Sequence, residues 1–173
     1  MALARTTLRA SLASNAEPGA CLGQANRLLC ADAASGMFVT LFYLGLRPGS
    51  CRLVCVNAGH NLPMLMRCGE AQLVGLSRPS LPLAIDEATE YASVVLDAQP
   101  GDVLLLYTDG VVDAENREGN PFGVDRLRSA LCQHAALPAQ ALCAALEQRV
   151  LEHAAGYPAV DDLTLVVVRC RIE

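Results

Sequence analysis

The sequence predicts an α+β fold, in which antiparallel strands pack against helices. Apolar residues follow a helical spacing near both ends of the chain and a strand-like pattern between residues 37 and 107. These strands do not alternate with helices, which disfavours a doubly wound parallel sheet. A chain of 173 residues is long enough for one domain with a substantial core.

Two helices are predicted first. Residues 1–14 are rich in the helix formers Ala, Leu and Arg, and no capping residue precedes Met1, so we expect the chain to begin inside a longer element. Pro18 opens the second helix, which is expected to end near Gly36. Its apolar face comprises Leu22, Ala25, Leu28 and Leu29.

The middle of the chain predicts short strands that pair mostly antiparallel. Residues 37–46 and 51–58 flank a turn at 47–50 and predict a hairpin. Gly- and Pro-bearing turns separate four further strands, predicted at 63–67, 71–76, 91–96 and 103–107. The remaining elements are two helices, at 124–134 and 138–154, and a buried strand at 163–170.

Composition excludes several classes of protein. Hydrophobic residues make up 53% of the chain and charged residues 18%, which excludes a disordered protein. The longest apolar runs are far shorter than the ~20 residues of a membrane-spanning helix. Arg5 and Arg9 interrupt the apolar stretch that a signal peptide needs. We therefore expect a cytoplasmic protein without a membrane partner.

Charge and cysteine content narrow the choice of ligand. The net charge is −5 and Lys and Arg form no cluster, so no nucleic-acid partner is expected and cation binding fits better. The eight cysteines include no C-x-x-C pair, which argues against a zinc knuckle. We interpret them as apolar core residues in a reducing compartment, with a metal or disulfide pair between Cys51 and Cys55 left open.

Asp109 ends a strand that is predicted to be buried on both faces. The apolar run from Val103 to Tyr107 leads into Thr108-Asp109-Gly110, which places a carboxylate at the edge of the core. Taken alone, Asp-Gly before Val111 is more typical of a type I′ hairpin turn. The second interpretation is a carboxylate held in place for chemistry.

Two adjacent carboxylates, Asp161 and Asp162, precede the last predicted strand. They repel each other unless water or a cation neutralises them, and Mg²⁺ or Mn²⁺ suits such oxygen ligands. A solvated acidic loop explains the pair equally well.

The segment Asn57-Ala58-Gly59-His60-Asn61 predicts a polar turn in which Asn57 and His60 bond the turn's own backbone. A general acid or metal ligand at His60 is the weaker alternative. The sequence has no G-x-S-x-G elbow, no Gly-rich phosphate loop with Lys and no G-x-G-x-x-G after a strand.

Taken in order, these motifs resemble the bacterial SpoIIE/RsbU-type serine phosphatases of the metal-dependent PPM (PP2C-like) superfamily. The resemblance extends over almost the whole chain, through Gly36–Tyr43, Asn57–Asn61, Pro100–Asp102, Leu105–Gly110, Phe122–Gly123 and Asp161–Val166.

The resemblance implies a single domain over residues 1–173, folded as an αββα sandwich in which helix pairs flank antiparallel sheets. It also implies a site with two Mn²⁺ or Mg²⁺ ions, in which Asp109 and Asp161 are catalytic metal ligands and Asp162, at the position next to Asp161, is a third metal ligand. Two ions ~3.5–4 Å apart generate a bridging hydroxide that attacks phosphorus, so no nucleophilic side chain is needed.

The implied activity is that of a protein serine/threonine phosphatase in bacterial signal transduction and sigma factor regulation. Its substrate would be a phosphoserine or phosphothreonine on a partner protein, such as a STAS-domain anti-sigma-factor antagonist. The rival interpretation is a catalytically inactive PP2C-like signalling or docking module. A hydrolase of small phosphoesters would use the same carboxylates.

The sequence departs from the family pattern at its start. The family places a G-D-x-S-G-H-G-like segment, whose Asp bridges the metals, upstream of the helix that residues 1–6 resemble, and this sequence has none. We therefore expect an N-terminally truncated domain with an incomplete metal site and sheet edges open to pairing, for example as a homodimer. Asp162, Asp113 or a ligand from a second subunit would be the overlooked ligand if this assignment of metal ligands is wrong.

Overall fold

The computed structural model describes residues 2–13, 17–32, 36–46, 49–75, 80–159 and 161–171. Its helices are α1 (Ala2–Leu12), α2 (Pro18–Asp32), α3 (Asp109–Val112), α4 (Gly123–His134) and α5 (Ala139–Ala154). Its strands are β1 (Leu41–Leu46), β2 (Arg52–Ala58), β3 (Met64–Arg67), β4 (Glu70–Leu73), β5 (Val94–Asp97), β6 (Val103–Tyr107) and β7 (Leu165–Arg169). All pairs between these strands are antiparallel, which confirms the predicted α+β fold.

The chain divides into two compact units, residues 1–60 with 76–97 and residues 61–75 with 98–173. Each unit contains an antiparallel sheet and a pair of long helices, as predicted. The strand order is β1-β2-β5 in the first unit and β4-β3-β6-β7 in the second. Among the described residues, no helix is both long and apolar enough to cross a membrane.

The first unit is built around the β1–β2 hairpin, which pairs in register from Leu41 with Ala58 to Leu46 with Leu53. Of the predicted turn at 47–50, Arg47 and Pro48 lie outside the described residues. Apolar residues of α1 and α2 pack on this sheet. The core residues are Leu8, Leu22, Ala25, Leu29, Val56, Ala58, Leu83 and Tyr91.

Glu17 caps the start of α2, where backbone N–H groups lack helical partners. Its carboxylate accepts hydrogen bonds from the N–H groups of Gly19 at 3.0 Å and Ala20 at 2.7 Å, and from the hydroxyl of Ser93. Burial raises the pKa of Glu17, but these hydrogen bonds outweigh it and hold the pKa below its usual value. The helix therefore begins where Pro18 was predicted to open it.

A buried amide that the sequence did not single out ties α2 to the loop before β5. Asn26 is fully buried, and its side chain donates to the carbonyl of Asp86 at 2.8 Å and accepts from the N–H of Ala84 at 2.8 Å. Both ends of the amide are thus satisfied, which makes its burial tolerable.

The second unit holds the larger core, in which α4 and α5 pack on the four-stranded sheet. Strands β6 and β7 pair from Val103 with Arg169 to Tyr107 with Leu165. Fully buried side chains fill the space between sheet and helices, among them Met64, Val103, Leu105, Val111, Leu127, Leu131, Leu142 and Leu146.

Asp102 sits just before β6 with every carboxylate oxygen engaged. Arg67 on β3 donates to it from Nε at 3.2 and 3.1 Å and from a terminal nitrogen at 2.6 Å, and the N–H of Gln99 donates at 2.7 Å. Burial raises the pKa of Asp102, but the hydrogen bonds from Arg67 and Gln99 outweigh it and lower the pKa. The Pro100-Gly101-Asp102 motif is therefore a structural anchor for the strand.

The cysteines follow the prediction in part. Cys21 and Cys55 are buried thiols. Four other cysteines are likewise not disulfide-bonded: Cys30, Cys68, Cys132 and Cys143. Cys51 and Cys170 are disulfide-bonded, which corrects the expectation of reduced cysteines throughout. Because Cys55 is free, the Cys51–Cys55 pair that the sequence left open is not formed.

Candidate metal centre

The chain leaves β6 through Thr108 and enters a single helical turn, α3. Val111 in this turn is fully buried, and the N–H of Asp113 donates to the carbonyl of Asp109 at 2.8 Å. The type I′ hairpin interpretation of Asp109-Gly110 is therefore wrong, because a buried Val at the third helical position draws the backbone into the core. Asp109 occupies the first position of the turn, with its side chain exposed.

The start of β7 lies beside the end of β6, because the two strands are antiparallel and Tyr107 pairs with Leu165. Thr108 joins the two segments with three hydrogen bonds. Its N–H donates to the carbonyl of Thr164 at 3.2 Å, its hydroxyl donates to the carbonyl of Asp162 at 3.2 Å, and its Oγ1 accepts the N–H of Thr164 at 3.1 Å. Thr108 thus holds the acidic loop against the end of β6.

Gly110 permits an even closer contact between these segments. A Cβ at this position would lie 2.4 Å from the carbonyl oxygen of Asp162 and 3.3 Å from that of Asp161. Any side chain would therefore push the acidic loop away. This contact and the strand pairing place Asp109 and Asp161 at the same end of the sheet, as predicted, whereas their sharing of a metal cluster stays a prediction.

The carboxylates of Asp109 and Asp161 are each oriented by the backbone N–H of the following residue. Oδ1 of Asp109 accepts the N–H of Gly110 at 3.0 Å, and Oδ1 of Asp161 accepts the N–H of Asp162 at 2.7 Å. Each side chain is exposed, so water or a cation has access to the remaining oxygen. Each aspartate is held by its own backbone, with no salt bridge to Lys or Arg in the described part of the chain.

Asp109 and Asp161 line one cleft of about 440 Å³. Its lining residues are Asp109, Gly110, Asp113, Ala114, Glu115, Pro121, Ala159 and Asp161. Four of these eight carry carboxylates and none carries a positive charge, so the cleft favours cations. The side chain of Asp162 is exposed, and this residue is not among those that line the cleft.

Carboxylate oxygens are the donors that Mg²⁺ and Mn²⁺ prefer, so the chemistry of Asp109 and Asp161 fits the metals that the resemblance implies. Among the described residues, no group of three or more His, Cys, Asp and Glu side chains is arranged to hold a metal ion. Asp113 and Glu115 share the cleft without completing such a group. Sequence reasoning gave Glu115 no role, because its place in the cleft depends on how the following loop folds back.

The turn at Asn57 has the structural role that the sequence favoured. The side chain of Asn57 donates to the carbonyl of His60 at 2.9 Å and accepts the N–H of His60 at 2.8 Å. Gly59 has φ +67°, and a Cβ on it would lie 2.6 Å from Pro82. The side-chain amide of Asn57 therefore bonds to the backbone of its own turn.

Comparison with known proteins identifies the class to which this fold and cleft belong. The family model for Stage II sporulation protein E (SpoIIE) matches residues 1–171. The chain belongs to the SpoIIE family.

Two curated relatives are similar over most of this chain. It is 28% identical over 133 residues to Protein IcfG of Synechocystis sp., covering 76% of this chain and 20% of that protein. It is 23% identical over 155 residues to Phosphoserine phosphatase RsbU of Bacillus subtilis, covering 90% of this chain and 46% of that protein. The chain thus spans less than half the length of each of these two relatives.

Solved structures share the fold. The SiaA-PP2C domain of Pseudomonas aeruginosa matches with a TM-score of 0.82 at 21% identity, over 98% of this chain and 67% of that one. The SpoIIE phosphatase domain of Bacillus subtilis, from a Mn-presoaked crystal, matches with a TM-score of 0.69 at 17% identity, over 98% of this chain and 74% of that one. The chain has a PP2C-like fold.

Proposed function

We propose that residues 1–173 act as one metal-dependent protein serine/threonine phosphatase domain in bacterial signalling. The observation that carries the proposal is the contact of Gly110 with the backbone of Asp161 and Asp162, which brings Asp109 and Asp161 into one acidic cleft. Membership of the SpoIIE family supports it. If Asp109 and Asp161 only stabilised their own turns, there would be no reason for both carboxylates to line the same cleft.

In this proposal Asp109 and Asp161 bind Mn²⁺ or Mg²⁺. Asp162, next to Asp161 in the chain, is the third proposed ligand. Metal ions held there would supply a hydroxide near neutral pH and would neutralise the charge of the phosphoryl oxygens. The chain contributes the orientation of the ligands. Backbone N–H groups fix one oxygen of each aspartate, and Thr108 keeps the two strand ends together.

The number of ligands limits what the 173-residue chain does on its own. Two carboxylates offset only part of the dehydration of a hard cation, and they do not hold two ions at bridging distance. We therefore expect weak Mn²⁺ binding and little or no phosphatase activity from residues 1–173. A D-x-S-G segment, as the family carries it, would add the bridging carboxylate.

For the substrate, we propose a phosphoserine or phosphothreonine on a partner protein. The name Phosphoserine phosphatase RsbU of one relative supports this choice. A STAS-domain anti-sigma-factor antagonist in the cytoplasm is the partner we propose, and regulation of a sigma factor is the outcome.

The test compares three proteins: residues 1–173, the same residues preceded by a D-x-S-G segment from a relative, and that longer protein with Asp109→Asn. Mn²⁺ binding is measured by calorimetry and turnover with a phosphoserine peptide. We expect Mn²⁺-dependent turnover only in the second protein, with a loss of about 100-fold or more in the third. Robust turnover by residues 1–173 alone would show that the ligands are misassigned. Absence of turnover from all three would favour the inactive signalling or docking module.

A further inference from the structure

The segment between α3 and α4 folds into a small hairpin, residues 113–122, which we call the acidic hairpin. Its two arms meet at a bridge between Glu115 and Pro121 and at hydrogen bonds from Asn116 N–H to the Asn120 carbonyl at 3.0 Å and from Phe122 N–H to the Ala114 carbonyl at 2.8 Å. The first arm carries Asp113 and Glu115 into the cleft.

The tip of the hairpin is closed by one side chain. Oδ1 of Asn116 accepts the N–H groups of Glu118 and Asn120, each at 3.0 Å. The hairpin is thus a closed unit, and whatever holds its second arm also sets the position of its first.

Two helix side chains hold the second arm by three consecutive carbonyls. Arg126 on α4 donates to the carbonyls of Pro121 at 3.0 Å and Phe122 at 2.9 Å. His153 on α5 lies 2.9 Å, through Nε2, from the carbonyl of Asn120. Because a carbonyl only accepts, this hydrogen bond requires a hydrogen on Nε2.

His153 makes a second contact with the same arm. Its ring meets the buried ring of Phe122 edge to face, with centroids 5.5 Å apart and an interplanar angle of 67°. Arg126 bonds the arm near its junction with α4, whereas His153 reaches it from the other helix. His153 therefore links α5 to the hairpin that lines the cleft.

We propose that His153 is a positioning residue of the metal centre, which holds the acidic hairpin so that Asp113 and Glu115 add negative charge beside Asp109 and Asp161. The role of His153 in the reaction rests on the proposed function, whereas its role in holding the acidic hairpin is independent of that function. Loss of the contact would loosen the hairpin and lower the affinity of the cleft for a divalent cation.

Two substitutions separate the two contacts of His153. His153→Phe keeps an aromatic ring against Phe122 and removes the N–H donor. His153→Gln removes the ring and places an amide donor close to the position of Nε2. His134→Phe is the matched control, because His134 lies in the last turn of α4 and makes no hydrogen bond to residues 113–122 in the described part of the chain.

The first readout is hydrogen exchange of the hairpin amides in the full chain, which requires neither metal nor activity. We expect exchange at Asn116, Gly119 and Phe122 to become roughly fivefold faster in His153→Phe, as the loss of one hydrogen bond allows. His153→Gln should restore slow exchange, and His134→Phe should match the wild type. Unchanged hairpin exchange in His153→Phe, at an unchanged melting temperature, would overturn the proposal.

The second readout is Mn²⁺ affinity, measured in the wild type, His153→Phe, Glu115→Gln and the double variant. If His153 acts through the hairpin carboxylates, its substitution weakens Mn²⁺ binding about threefold in the wild type and less in the Glu115→Gln background. Equal effects in both backgrounds would overturn it. A wild type that lacks phosphatase activity even with a D-x-S-G segment would count against the proposed function, while the exchange data would still decide the role of His153.

Discussion

The turn at the end of β2 and the turn at the end of β6 have similar residue types, but their polar side chains have different hydrogen-bond partners. At the first, Asn57 near the end of β2 acts together with Gly59; at the second, Asp109 and Gly110 come just after β6. The backbone of His60 engages both ends of the Asn57 amide. Asp109 accepts one N–H, and its exposed carboxylate faces a cleft that a second aspartate shares.

The difference lies in where the polar atoms find their partners. A side chain whose donor and acceptor groups both bond to its own turn stabilises that turn. A carboxylate held by one N–H keeps lone pairs for water or a cation. The two glycines differ in the same way, since Gly59 approaches a proline ring of its own unit, whereas Gly110 approaches the backbone that carries the second carboxylate.

The largest effect is expected from Gly110→Ala. The new Cβ would lie 2.4 Å from the carbonyl oxygen of Asp162, so the acidic loop must move away from β6. We expect Mn²⁺ affinity to fall about tenfold or more and stability to fall by about 1–3 kcal/mol. Calorimetric Mn²⁺ titration and urea unfolding measure the two effects.

Gly59→Ala is the matched control for this prediction. Its Cβ would meet Pro82 at 2.6 Å, and its φ of +67° is unfavourable for alanine, so stability should fall by a similar amount. Mn²⁺ affinity should stay at the wild-type value. Equal Mn²⁺ affinities in the two alanine variants would remove the distinction between the turns.

A smaller effect is expected from Thr108→Val, which preserves the shape of the side chain and removes its hydroxyl. The N–H of Thr164 and the carbonyl of Asp162 then lose a partner, at a cost of about 1–2 kcal/mol. Mn²⁺ affinity should fall several-fold, because the acidic loop is no longer tied to β6. Thr108→Ser retains the hydroxyl and should behave like the wild type. A serine variant as weak as the valine variant would exclude the hydroxyl as the cause.

For Asn57→Ala we expect a loss of stability without a loss of metal binding. The substitution leaves the N–H and carbonyl of His60 without their side-chain partner, which costs about 1–2 kcal/mol. Urea unfolding measures this loss. A drop in Mn²⁺ affinity comparable to that of Thr108→Val would contradict the structural role of the Asn57 turn.

The order of helices and strands was predictable because periodicity reports burial. The strand over Val103–Tyr107 was predicted with its observed bounds, since an unbroken apolar run between polar residues has one register that buries it. Short sequence motifs gave the wrong local structure where packing against the core determines the conformation of the backbone. Asp109-Gly110 has the sequence of a hairpin turn, yet the burial of Val111 makes it a helical turn.

The candidate site was predictable in part for the same reason. Asp109 comes just after the buried strand β6 and Asp161 a few residues before β7, so the pairing of the two strands brings them together. The last strand itself is only half-buried, with Val166 exposed, which corrects the prediction that it is buried. Glu115 reaches the cleft only because the acidic hairpin turns back on itself, held by Asn116 and by contacts with α4 and α5. No spacing in the sequence reports those contacts, which join residues up to 33 positions apart.

The smallest effect is expected at Asp102, whose two carboxylate oxygens both accept hydrogen bonds from Arg67. Its pKa lies below the usual value of 3.8, because the hydrogen bonds from Arg67 and Gln99 outweigh the effect of burial. A lowered pKa means that the folded state binds the proton more weakly than the unfolded state does. Asp102 therefore stabilises the fold above about pH 4 and loses this contribution as the pH falls further, through the folded-state pKa.

Asp102→Asn should cost about 1 kcal/mol at pH 7 and less at pH 3, with Mn²⁺ affinity unchanged at pH 7. Urea unfolding of both proteins at the two pH values measures the difference, and a cost that is the same at pH 3 and pH 7 would show that the charge of Asp102 contributes nothing.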